Sequence, residues 1–165
     1  MMQLLLENRA GMQKICVLLV FLWAMWRGGG PERASGAVLL GMVAVHMAFR
    51  DVFGFESVYL TLDPVNFLID TLGLVAFVLI ALKANRFYPM VLAAAQLVSF
   101  MGHFVRIMVE PVSSLAYYLL TAMPFWFQIF ILAGGMARHV YRNASMGSYR
   151  DWRLIAPQLP RSSFG

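Results

Sequence analysis

DPVNFLIDTLGLVAFVLIALK, residues 63–83, is the stretch that decides the fold class. From Val65 to Leu82 only Asn66, Asp70 and Thr71 interrupt an apolar run. A helix needs about 20 such residues to cross roughly 30 Å of hydrocarbon, and this run has that length. Asp63 and Pro64 supply its start. The first is an N-cap side chain that accepts a free helical N–H, and the second has a fixed φ that suits the first helical position. The reading is a membrane-spanning helix over 64–82.

Four further runs share this character. The next covers 88–108, with Pro89 in its first turn, and the last covers 114–136, with Pro124 inside it. A proline there removes a ladder hydrogen bond and is expected to kink the helix. Upstream lies 34–55, where Arg50 and Asp51 follow the apolar part. The first run is Ile15 to Trp26, extended to about 10–27 through Gln13 and Lys14 and stopped by Arg27 and Gly28-Gly29-Gly30-Pro31. Its clean part is short for a span and matches a signal-peptide core, so the bundle has five spans, or four if this run is a cleaved signal. Its two tryptophans and the following Arg27 favour retention, with Arg9 and Lys14 snorkelling to the surface. The fold class is therefore all-α, a polytopic transmembrane helix bundle over residues 1–137. Residues 138–165 form a basic cytoplasmic tail, in which Trp152, Leu154 and Ile155 are expected to touch the headgroup region.

Composition agrees with this reading. Of 165 residues 61% are hydrophobic and 13% charged, against about 45–50% and 25% in soluble domains. On a soluble chain the net charge of +5 would point to nucleic acid. Here the basic residues fall in short loops and the tail, which makes them a topology signal and a contact for anionic lipid headgroups. Cys16 is the only cysteine, so there is no intrachain disulfide and no metal-binding cysteine spacing.

The loops sort into two sets. One holds Arg9, Lys14, Arg50 and Arg106; the other holds Arg27, Arg33, Lys83, Arg86, Arg138, Arg142, Arg150, Arg153 and Arg161. The positive-inside rule puts the second set in the cytoplasm. The N-terminus is then periplasmic and the C-terminus cytoplasmic, in a multi-pass protein of the cell inner membrane. The orientation is the same for four spans.

Ionisable groups within a span are expensive, about 2.5–3.5 kcal/mol each at the helix centre. The fourth span carries Gln96, Ser99, His103 and Arg106 on one helical face, and Glu110 continues the stripe. The third carries Asp63, Asn66 and Asp70 on one face, and the second carries His46 and Arg50 a turn apart. At 1.5 Å per residue, Asp70 lies roughly 10 Å and His103 roughly 8 Å below the outer end. Three helices thus present a polar cluster in the outer half, over an inner half that is nearly all aliphatic and aromatic. It is either a hydrogen-bonded lock for helix packing or an outer pocket for a ligand or proton. His46 and His103, on different helices at similar depth, also leave open a bis-His haem b site.

No nucleophile–His–acid arrangement and no HExxH sequence is present. At Arg86-Phe87-Tyr88-Pro89, continuing through Ala93-Ala94-Ala95-Gln96-Leu97-Val98 to His103, and at Gly30-Pro31-Glu32-Arg33, the chain resembles a group of small bacterial polytopic membrane proteins of unassigned function. The resemblance covers roughly residues 27–136. It implies a small inner-membrane bundle, carries no activity, and draws attention to Gln96 and His103.

The expected role is a small accessory or assembly subunit of a larger membrane complex, with the bilayer and other membrane subunits as partners. Three observations favour it: no complete catalytic motif, a bundle small for a transporter core, and aromatic spans, such as the one carrying Phe125, Trp126, Phe127 and Phe130, suited to packing on a partner. The alternatives are a b-type electron carrier using His46 and His103, and a small transporter or channel lined by Asp70, His103 and Arg106.

Overall fold

The computed structural model describes residues 2–53, 64–108, 114–147 and 150–153. These residues form five helices, α1 (Met2–Arg27), α2 (Gly30–Phe53), α3 (Pro64–Lys83), α4 (Tyr88–Met108) and α5 (Ser114–Met146). There is no strand among them, only one antiparallel bridge between Ala84 and Trp152. Consecutive helices pack together, α5 also packs on α1, and the bundle closes into a ring with a further α2–α5 contact.

The proline starts behave as the sequence predicts. Pro64 opens α3, Pro89 lies in the first turn of α4, and α5 continues through Pro124. Thr71, a polar break in the decisive run, donates its hydroxyl to the Phe67 carbonyl at 2.7 Å. The third span can therefore carry it without needing a partner on another helix.

Three helices extend past their expected limits, α1 beginning at Met2 rather than about residue 10. α2 begins at Gly30 rather than residue 34, with Pro31 buried in its first turn. α5 runs ten residues beyond 136, to Met146, so the first part of the expected tail is helical. Gly147, at φ +78°, stops it; this left-handed conformation is the common helix end that glycine adopts without strain. Gly134-Gly135 does not end the helix. An added Cβ at Gly135 would sit 2.9 Å from the Tyr88 ring, so that glycine lets α4 and α5 approach.

Among the described residues the exterior is largely apolar, and several polar groups are buried beside an apolar core. Glu32, Ser35, Gln96, Ser99, His103, Gln128 and His139 are buried. Leu68, Leu72, Val75, Leu79 and Leu82 on α3 are exposed, Leu72 at 62%. The apolar core between the polar groups is formed by Leu39, Phe77, Leu92 and Leu132. Among the described residues two helices, Pro64–Lys83 and the Tyr88–Val105 part of α4, are long and apolar enough to cross a membrane.

Candidate functional site

Asp70 is the centre of the first cluster. The spacing that put Gln96, Ser99 and His103 on one face of α4 turns all three toward α3, where they meet the Asp70 carboxylate. Gln96 Nε2 donates to Asp70 Oδ1 at 2.9 Å and to the Asp70 carbonyl at 3.2 Å. Ser99 Oγ donates to Oδ2 at 3.2 Å, and His103 Nε2 lies 2.8 Å from the same oxygen. With Asp70 ionised, Nε2 is the donor in that pair. The carboxylate is 16% exposed and His103 1%, so the pair is largely withdrawn from solvent. The Phe67 ring stands edge-on to His103 at 5.7 Å and fixes the imidazole plane.

Gln128 on α5 extends the network. Its Nε2 donates to Gln96 Oε1 at 2.6 Å and lies 3.5 Å from the Leu92 carbonyl. This residue was not expected at the site. The available signal was an amide inside an otherwise apolar stretch of the fifth run.

Of the remaining predicted residues, His46 and Asn66 meet each other. His46 Nδ1 is 2.9 Å from Asn66 Oδ1, which makes a separate, exposed α2–α3 contact one turn above Asp70. Arg50 and Arg106 lie in the last turns of α2 and α4. Asp63 and Glu110 lie outside the described residues. For His103 to ligate haem iron through Nε2 it would have to give up Asp70. His46 differs: it meets Asn66 through Nδ1, a contact that does not involve Nε2.

A second polar cluster lies at the opposite end of the bundle from Asp70. Glu32, completely buried, forms an ion pair with Arg86, whose side chain is 7% exposed. Arg86 also pairs with Asp151. The Gly30 N–H donates to Asp151 Oδ2 at 2.9 Å, so a tail carboxylate sits on the first turn of α2, where the helix dipole favours negative charge. The approach is close: a Cβ on Gly29 would meet that carboxylate, and one on Gly30 would meet the Trp152 indole. Two main-chain bonds hold the tail in place, Asn85 N–H to the Asp151 carbonyl at 3.0 Å and Arg153 N–H to the Lys83 carbonyl at 2.8 Å. His139 is buried nearby. Burial first, and then the Arg86 charge, hold its imidazole below the usual 6.5, against an opposing pull from Asp151.

Sequence reading missed this cluster because it placed Glu32 and Arg86 in loops and Asp151 in the tail. The extension of α2 back to Gly30 and of α5 on to Met146 brings Glu32 and His139 into the bundle.

No known protein family, curated protein or solved structure matches this chain.

Proposed function

We propose that the chain is a multi-pass protein of the cell inner membrane, N-terminus periplasmic and C-terminus cytoplasmic, serving as a small accessory or assembly subunit of a larger membrane complex. The observation that carries this reading is the apolar exterior, with leucine, valine and phenylalanine exposed along the helices, together with amides, a carboxylate and imidazoles buried beside the apolar core. In water such an exterior would be an aggregation surface. In a bilayer it faces lipid or the apolar face of another subunit, and the interior polar groups hold the helices together. Exposed Phe127 and Phe130, the latter stacked on Trp126 at 6.2 Å, give α5 a rigid aromatic ridge of the kind that anchors interfaces.

The test is the intact mass of the particle extracted from its native membrane in mild detergent. A particle well above 18.6 kDa that contains other chains supports the subunit reading. A lone chain with its own transport or redox activity would end it.

One observation favours a second reading. A carboxylate–imidazole pair at 2.8 Å between two span-length helices is also a site where a proton can bind or pass. That reading makes the chain a small transporter. It requires flux in proteoliposomes that Asp70→Asn abolishes; unchanged flux, or none from the native protein, removes it.

A further inference from the structure

The acids and bases among residues with described side chains are unevenly used. The acids are Glu32, Asp70 and Asp151, and each is paired within the bundle: Glu32 and Asp151 with Arg86, and Asp70 with His103 and its neighbours. At the Arg86 end of the bundle the exposed charges that remain are cationic. Two of them are forced together. The bond from Arg153 N–H to the Lys83 carbonyl sets those two residues beside each other, with both side chains exposed. Adjacent like charges repel, and no described carboxylate is left to compensate them. Arg150, also exposed, precedes the pinned segment. Beside these cations stand two exposed aromatic rings, Phe87 at 75% and Trp152 at 40%. A cationic group with aromatic neighbours at a helix-bundle end is the chemistry of a bilayer headgroup layer.

We infer that Lys83, Arg153 and Arg150, flanked by Phe87 and Trp152, form a binding site for anionic lipid headgroups, and that Asp151 assembles it by clipping the tail to Arg86 and Gly30. The inference rests on the membrane reading above. It adds a ligand class and a role for the clip. Without the Asp151 side-chain contacts only the two main-chain bonds hold the tail, so its cations are less firmly kept beside Lys83. Each basic residue brought to an anionic surface adds about fivefold in affinity, so the arrangement favours anionic over zwitterionic lipid.

The test is native mass spectrometry of the full chain in dodecyl maltoside micelles with equal phosphatidylglycerol and phosphatidylcholine, counting bound lipids. The native protein should retain phosphatidylglycerol preferentially. Lys83→Gln with Arg153→Gln should lower that preference severalfold; both side chains are exposed and the bridge uses only main-chain atoms, so folding is preserved. Asp151→Ala should lower it as well, although it makes the protein more positive. Simple charge attraction predicts the opposite, so a raised preference in Asp151→Ala overturns the proposal. So does an unchanged preference in the double variant. A chain that remains soluble without detergent would remove the membrane reading, and this site with it.

Discussion

Replacing Asp70 by alanine removes the acceptor on which three α4 donors converge. Gln96 keeps its 3.2 Å bond to the Asp70 carbonyl, and Ser99 can turn its hydroxyl to the carbonyl four residues back. The His103 Nε2–H, in a side chain 1% exposed, loses its carboxylate. Hydrogen bonds between helices in a bilayer average about 0.6 kcal/mol and reach about 1.7 kcal/mol. Three at the mean give about 2 kcal/mol, and a buried donor left without its acceptor adds about 1 kcal/mol or more. The expected loss is about 3 kcal/mol, over a hundredfold in the folded-to-unfolded ratio. Asp70→Asn keeps one oxygen for Gln96 and should cost only about 1 kcal/mol. The assay is reversible unfolding in mixed dodecyl maltoside and SDS micelles, followed by far-UV circular dichroism. Leu72→Ala, at a 62% exposed position, is the control and should change little. A double-mutant cycle with His103→Ala should give a coupling of at least about 0.5 kcal/mol. If Asp70→Ala unfolds within about 0.5 kcal/mol of the native protein, the cluster does not lock the helices.

Arg86→Gln leaves the fully buried Glu32 carboxylate without its cation and should cost about 3–5 kcal/mol in the same unfolding assay; a loss under 1 kcal/mol would mean the pair contributes little to the fold. Gly135→Ala drives a methyl against the Tyr88 ring and should cost about 1–3 kcal/mol. The same change at Gly134, where a Cβ meets nothing within 4 Å, should be neutral or slightly stabilising, and equal effects at both sites would contradict the α4–α5 contact. His139 binds its proton less readily when folded than when unfolded. The unfolded chain therefore takes up more protons as pH falls below 6.5, and stability drops with it. Thermal unfolding should show that slope between 6.5 and the lowered folded value, and His139→Gln should flatten it.

The run 64–82 and the stretch 88–108 could be read from local chemistry, because a helix start needs only a cap and a proline, and an apolar run of the right length needs no distant partner. The Asp70 cluster was legible for a related reason. Asn66, Asp70, Gln96, Ser99 and His103 are conspicuous against leucine and valine, and helical periodicity states which of them share a face. Gln128 was passed over because the nearest polar residues at helical spacing, Thr121 and Ser114, are two turns apart each and make only a sparse stripe. The Glu32–Arg86–Asp151 cluster was not legible at all. Asp151 meets Arg86 across 65 positions and Gly30 across 121, and no periodicity in the sequence encodes that pairing. The Gly28-Gly29-Gly30 run reads as a simple stop, yet its glycines also admit the Asp151 carboxylate and the Trp152 ring.

The most direct test of the account is the side of the membrane on which each loop lies. In a Cys16→Ser chain, single cysteines at Ser57, Ser113, Arg33, Asn85 and Ser145 can be labelled in intact cells with a maleimide that does not cross the inner membrane. The account predicts that Ser57→Cys and Ser113→Cys react at once, while Arg33→Cys, Asn85→Cys and Ser145→Cys react only after the membrane is opened. Labelling of Arg33→Cys or Asn85→Cys from the same side as Ser57→Cys would contradict the five-span topology, as would equal reaction at all five positions.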